Sequence, residues 1–551
     1  MKRLFKFVGV WMCAAALFGA LLGCEIPDVP DPTNPGGYVP EPIDHTKSQL
    51  YISNFNGGFM TDWLYAAILR FVEDYKDYSF EPDKKGAQVY VETHKSTVSD
   101  LTPERNEIFF LESQNYYDRL STGQVYDITE WVTTPLEEYG EDESIAGKMH
   151  DDYRAYFETA NGKYYGVPHY QRYATITYDA DLFDSKKLFM DTDGKFTKKS
   201  TETGRSKGPD NVFGTFDDGL PATYAEFYAL CNEMKNRNVD PINWSSMYAM
   251  YTGWLTAQMK ADFEGAETGL FYHFNGTATK LAESISESGT GIEKVATVAY
   301  KPSTPITTQN GYELYSSAGI YYALDFLKNL CGYATPSSLS GSVSHVGAQF
   351  NFLTSRETAE RPTGMLVEGN YWVNESADTF AQMEHRYGNS SLQKRRLAVM
   401  PLPKATPAVG DAKRDTYILD HANSAAFVNS KIDASKLTLA RTFFRYVHTD
   451  KSLLEYLTVS HTTKAFRFDV PADVRDGLDY YTKSALQYME SGINTIANSS
   501  NAFFYARFND LGYGNQFKTN NYQTPISVVS NMTALQAFNE IKANHNSSTW
   551  K

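Results

Sequence analysis

The stretch QLYISNFNGGFMTDWLYAAILRFVEDYKDY, residues 49–78, changes its apolar spacing from alternate residues to a helical period across a glycine pair. Residues 49–55 read as a strand, because Leu50, Ile52 and Asn54 fall on one side and Tyr51, Ser53 and Phe55 on the other. After the turn, Leu64, Ala67, Ile68, Phe71, Val72 and Tyr75 share one helical face, with Thr61 or Asp62 placed to cap it. A strand, a short loop and an amphipathic helix make the opening of a βα unit. AQVYVETH (87–94) and NEIFFLES (106–113) supply two more strands, so a sheet of largely parallel βα units is the economical fold. In such sheets ligands meet the loops at the carboxyl ends of strands, here NGGF and ESQNYYD.

Composition bounds the rest. The chain has 551 residues, 42% of them hydrophobic and 14% aromatic, enough for two cored lobes. Its formal charge of −15 argues against nucleic acid, whose phosphates require a basic face. No C-x-x-C, HExxH, G-x-S-x-G or P-loop pattern occurs, so the common short signatures for zinc, acyl transfer and nucleotide phosphate are missing. The amino terminus, MKRLFKFVGVWMCAAALFGALLGC, carries three cations and no acid before an apolar run ending in small residues, the layout of a secretory leader. A Pro/Asp/Gly-rich spacer follows to residue 42. Export permits Cys231 and Cys331 to pair, but buried thiols fit equally well.

Two resemblances extend this reading. Leu21, Leu22, Gly23 and Cys24 resemble the lipobox of bacterial lipoproteins, which implies cleavage before Cys24 and acylation of that cysteine. From residue 127 onward, DITEWV, GKYYGVPHYQRYATITYDADLF (162–183), LPATYAEFYALCNEMK (220–235), GMLVEGNYW (364–372), LAVMPLPK (397–404), HANSAAFVNSK (421–431) and ARTFFRYVHTDKSLLEYL (440–457) stand in that order. This order resembles the extracellular solute-binding proteins of bacterial ABC sugar importers, the maltodextrin-binding type, over nearly all of the chain beyond the leader. Residues 191–218 and 252–308 look like insertions.

The resemblance implies an α/β, two-lobed fold of the periplasmic-binding-protein type (type II). Each lobe is then a mostly parallel sheet flanked by helices, and crossing hinge strands join the two. The expected parts are a leader at 1–23, a tether at 24–47, lobe one at 48–168 and 397–464, and lobe two at 169–396 and 465–551. The crossings are expected at 167–174, near Leu397 and near Lys464. The implied function is that of a monomeric, lipid-anchored protein that captures a carbohydrate, an oligosaccharide given the aromatic content. It hands the sugar to an ABC permease at the outer face of the membrane, without turnover. A glycoside hydrolase, with Glu368 as one of two carboxylates, and a glycan-binding adhesin are the alternatives.

A sugar offers an apolar C–H face to a flat ring and a rim of hydroxyls to amides and acids. GMLVEGNYW ends a strand with such groups, and Trp372, matching the aromatic of the family's Gly-x-Trp turn, is expected to stack in the cleft, with Glu368 and Asn370 at the rim. Alternation sends one of Tyr371 and Trp372 into the core. Asn56, Gly57, Trp63, Gln114 and Asn115 follow lobe-one strands, Arg172 sits in the first crossing, one of Trp244 and Trp254 is expected to line the cleft, and Asn423 follows the return. Asp191, Asp193, Asp210, Asp217 and Asp218 lie in glycine-rich loops whose oxygens suit calcium, although solvated turns explain them as well. No other cofactor is expected.

Overall fold

The computed structural model describes residues 42–94, 101, 105–112 and 115–550. Cys24, the leader and Gln114 lie outside the described residues. Eleven strands carry the architecture: β1 Ser48–Phe55, β2 Ala87–His94, β3 Ile108–Leu111, β4 Val167–Pro168, β5 Ala174–Asp179, β6 Asp240–Asn243, β7 Thr363–Gly369, β8 Leu397–Met400, β9 Tyr417–Asp420, β10 Ala425–Val428 and β11 Ile493–Ile496. The first sheet has the order β2-β1-β3-β10-β4, and the second β8-β5-β7-β6. β9 pairs with β11 in a separate parallel ribbon.

Strand direction follows from the crossings. β1 runs parallel to β2 and β3, while β10 is antiparallel to both β3 and β4. In the second sheet β7 is parallel to β6 and antiparallel to β5, which is antiparallel to β8 as well. Both sheets are mixed in that one strand of each, β10 or β5, runs against the rest, and the remaining strands are parallel, as expected. The reason is topological: β5 and β10 each enter their sheet from a crossing, so they run against neighbours that end there. Gly369 thus lies opposite Ala174, and Ala425 opposite both Leu111 and Pro168. The carboxyl ends of β1, β2, β3, β4, β6, β7 and β8 all face the crossings.

The first crossing is 169–173, between β4 in one sheet and β5 in the other. The return differs from the expectation at Leu397. That residue pairs with Asp179 inside the second sheet, and the chain rejoins the first sheet only at Ala425, so the return is 421–424. Phe466 still bridges to Met149 and the Arg467 N–H donates to the Lys148 carbonyl, so the third crossing follows Arg467 instead of Lys464.

Helix Asp62–Asp74 buries Leu64, Ala67, Ile68 and Phe71 of the face expected from its spacing, together with Trp63 and Tyr65, while Val72 and Tyr75 are half-buried. Thr61 makes no side-chain cap there; its hydroxyl accepts from Asn54 Nδ2 at 3.1 Å. Helix Met250–Glu264 is buried on nearly all sides between the second sheet and helix Ala318–Cys331. Cys231 and Cys331 are both free thiols.

Trp372 lies in the core and does not line the cleft. Its ring is fully buried, edge-on to Phe352 and Tyr481 at 5.9 Å each, and its Nε1 donates to Thr177 Oγ1 at 3.1 Å. The turn after Gly369 starts a short helix, Trp372–Glu375, which folds this ring back beneath β5. Trp372→Ala is therefore expected to destabilise the fold by about 3–5 kcal/mol, the cost of a large buried ring. Thermal or denaturant unfolding measures this; an unchanged melt with a loss confined to sugar binding would return the ring to the cleft.

Candidate functional site

The first crossing has no ladder partner for most of its length, so its backbone groups must be satisfied in other ways. Ser424 Oγ accepts from the Tyr170 N–H at 3.2 Å and donates to the Tyr170 carbonyl at 3.1 Å. The Gln171 N–H donates to the Thr463 carbonyl at 3.1 Å, and the Arg172 N–H to Asp420 Oδ2 at 2.7 Å. Asn370 closes the set: Oδ1 accepts from the Tyr173 N–H at 3.2 Å, and Nδ2 donates to the Gln171 carbonyl at 3.1 Å. This side chain, expected at the sugar rim, is committed to holding the crossing, because a buried amide beside unpaired peptide groups binds them first.

Held in this way, the crossing projects Arg172 into an aromatic cluster drawn from both sheets. Its guanidinium lies 4.2 Å from the Trp254 ring centre and 5.7 Å from that of Tyr371, and forms an ion pair with Glu112 at the end of β3. Trp254 meets Tyr251 edge-on and His421 at a tilt, each at 5.0 Å. Phe59, from the loop after β1, stacks on Tyr170 at 3.6 Å and meets Tyr371 at 4.8 Å. Gly58 permits this approach: a Cβ there would fall 2.0 Å from Tyr371 Cδ2. Asn374 ties the same edges together, donating from Nδ2 to the Gly58 carbonyl at 2.9 Å and to the Ser460 carbonyl at 2.7 Å.

Around the rings stand two buried acids, Glu368 and Asp420, and a half-buried one, Glu375. Glu368 Oε2 accepts from the Gly369 N–H at 3.1 Å, while its Oε1 is buried without a hydrogen-bond partner. Glu375 accepts from Gln349 Nε2 at 2.7 Å and has His345 Nε2 at 3.7 Å. Burial, then the neighbouring Glu375, pushes Glu368 well above the usual carboxylate range. Burial likewise raises Glu375 to about 7 and Asp420 to about 6. Burial and the Arg172 charge hold His421 neutral, well below its usual range. The Tyr170 hydroxyl and Asn423 Oδ1 are also buried without partners in the chain. Rings for stacking and unmet hydrogen-bonding capacity thus meet in one place.

The residues singled out in the sequence divide accordingly. Arg172 and Asn423 lie in the crossings, Glu368 in the strand end beside them, and Trp254 on helix Met250–Glu264 with its ring against Arg172. Trp63 stands apart from these: it packs edge-on to Phe110 at 5.1 Å within the first lobe, with Lys464 Nζ 4.2 Å from its ring centre. Trp244 is core, and it lines a separate cavity of about 450 Å³ with Ser245, Ser246 and Lys328. Asn115 caps helix Tyr116–Thr122, accepting from the Tyr117 N–H at 3.2 Å. Asn56 uses its N–H on the His94 carbonyl, and Gly57 makes room for Phe55 and Glu112.

The aspartates are loop caps. Asp191 accepts from the Asp193 and Lys195 N–H groups, Asp210 from Val212, Asp217 from Asp210 and Asp218 from Gly214. Asp193 stands exposed in the same turn. Among the described residues no three His, Cys, Asp or Glu side chains gather as metal ligands would.

Phe59, Glu112, Tyr170, Tyr251, Tyr371, Glu375 and His421 were missed. Phe59 and Glu112 stand in the two loops that the sheet reading singled out, and Tyr371 is the other member of the alternating pair with Trp372.

No family model matches the chain, and no curated protein matches it. Among solved structures it is similar to a chitin oligosaccharide binding protein at 15% identity, covering 90% of this chain and 99% of that one, with a TM-score of 0.50. It is similar to the apo form of RafE from Streptococcus pneumoniae at 13% identity, covering 92% and 100%, with a TM-score of 0.51. A protein of xylan utilization by the thermophilic bacterium Caldanaerobius polysaccharolyticus gives 11% identity, 90% and 100% coverage and a TM-score of 0.51. At such identities the likeness concerns architecture: the chain has the two-lobed α/β fold of the periplasmic binding proteins.

Proposed function

We propose that the protein captures a carbohydrate between its lobes and delivers it to a membrane permease of the ABC type, with no covalent step. One observation carries this reading: around the first crossing Trp254, Tyr371, Tyr170 and Phe59 gather with the unpartnered Glu368 Oε1 and Tyr170 hydroxyl. Flat rings suit the C–H face of a pyranose, and buried atoms lacking partners suit its hydroxyls. A sugar stacking on Trp254 takes the face that Arg172 now covers, and the guanidinium keeps its partner Glu112. The architectural neighbours that bind chitin oligosaccharide or serve xylan utilization point to the same ligand class. An oligosaccharide fits the number of rings. Acylation of Cys24 anchors the chain at the outer face of a bacterial membrane, within reach of the permease.

Trp254→Leu keeps apolar volume but removes the flat face, so affinity for a bound glycan should fall about 10- to 100-fold, the equivalent of losing one stacked ring. Calorimetric titration beside a melting curve tests it; full affinity in a folded variant moves the pocket elsewhere. Cys24→Ser should shift the protein from the membrane to the soluble fraction, and unchanged fractionation would argue against the anchor.

Stability should follow the raised acids. Glu375 keeps its proton in the folded state up to about 7, whereas the unfolded chain releases it from the ordinary value of 4.5. Folding therefore loses stability as pH rises between those values, by up to about 3 kcal/mol for this group. Glu375→Gln should melt higher than the parent at pH 8 and alike at pH 4; equal melting at both would mean the carboxyl is not perturbed.

A further inference from the structure

Glu368, buried, and Glu375, half-buried, are neighbouring carboxyls at the cleft end of β7, and their surroundings lack the cation such a pair ordinarily has. Among the described residues no lysine or arginine makes an ion pair with either. Arg172 reaches them only through space, its guanidinium being paired with Glu112 and laid over Trp254. The other groups facing them are His345 and Gln349 from helix His345–Thr358, Tyr251 from helix Met250–Glu264, Tyr371 and Tyr481, and the Glu112 carboxylate, which acts on Glu375 through space. Gln349 serves both carboxyls: its Nε2 donates to Glu375 at 2.7 Å, and its side chain also favours the ionised form of Glu368. His345 lies 3.7 Å from Glu375, and burial disfavours its charged form. Glu368 Oε1, on a side chain 1% exposed, has no partner at all. An independent sign of an absent ligand stands nearby in the Tyr170 hydroxyl, buried and unpartnered beside the Tyr371 ring.

Resting on the carbohydrate reading above, we infer that this pair receives an ammonium group, so that the preferred ligand is a glycan carrying a free amino sugar. An ammonium brings three N–H donors and a positive charge. It would give Glu368 Oε1 its missing partner and allow both carboxyls to ionise, while Tyr251 and Trp254 offer ring faces that attract a cation. A neutral hydroxyl satisfies the hydrogen bond but leaves the pair protonated. An anionic sugar would be repelled by whichever carboxyl is ionised.

Full-length protein in detergent is titrated calorimetrically at pH 6.5 with the glucosamine tetramer, the N-acetylglucosamine tetramer, cellotetraose and spermidine. The glucosamine tetramer should bind at least tenfold tighter than either neutral tetramer, and E368Q and E375Q should each bring that ratio close to one. Fitted stoichiometry gives the folded fraction, so a poorly folding variant does not imitate a loss of preference. Equal or tighter binding of a neutral tetramer overturns the inference and leaves the carbohydrate reading standing. A preference that survives both substitutions, or spermidine binding as tightly as the amino glycan, overturns it too. If no glycan of these or of a wider panel binds, the carbohydrate reading itself falls.

Discussion

A chain passing between two sheets leaves its ladder partners behind, and the peptide groups of 169–173 are satisfied instead by Asn370, Asp420, Ser424 and Thr463. These partners come from the end of β7, from the approach to the return and the return itself, and from the segment before the third crossing. One buried network therefore fixes three crossings against one another. Buried peptide groups are costly to leave unpaired, so the network has little freedom to slide. Its consequence is local: Arg172 leaves the backbone in one direction, toward Trp254 and Glu112, and Tyr170 toward Phe59.

The same topology decides which loops can reach a ligand. Because strands that arrive from a crossing run against those that end there, the carboxyl ends of seven strands gather on the crossing side. The loops after β1, β3 and β7 supply Phe59, Glu112 and Tyr371 to one cluster. Gly58 and Asn374 then set how near the two edges lie, the first by lacking a side chain beside Tyr371 and the second by bridging to the Gly58 and Ser460 carbonyls. These edge contacts are a small set, the Phe59–Tyr371 ring contact and the Asn374 hydrogen bonds, while apolar residues fill the interior of each lobe. That contrast suits a hinge that opens and shuts at modest cost.

Much of this was legible in the residues. The period change across NGGF marked the first βα unit, and the polar interruption HYQRY marked the first crossing and Arg172. What failed had a common cause: sequence gives a side chain's periodicity but not the identity of its partner. Alternation stated that Tyr371 and Trp372 diverge, yet the turn into helix Trp372–Glu375 decided which of them went under β5. LAVMPLPK reads as a buried strand in either lobe, and only pairing with β5 assigns it to the second. Asn370 and Asn115 are residue types that suit a sugar rim, but each was nearer to an unpaired backbone group. The aspartates of 191–218 likewise met loop N–H groups before any cation.

The central claim is that the three tied crossings and the loops beside them form the ligand site. Hydrogen exchange, followed by mass spectrometry with and without a saturating mixture of chitin, xylan and raffinose-type oligosaccharides, addresses it directly. The account predicts ligand-dependent protection concentrated in 169–173, 368–375 and 420–424, with the loop at 56–61 slowing as the edges close. Protection confined to the cavity around Trp244, with these segments unchanged, would contradict it.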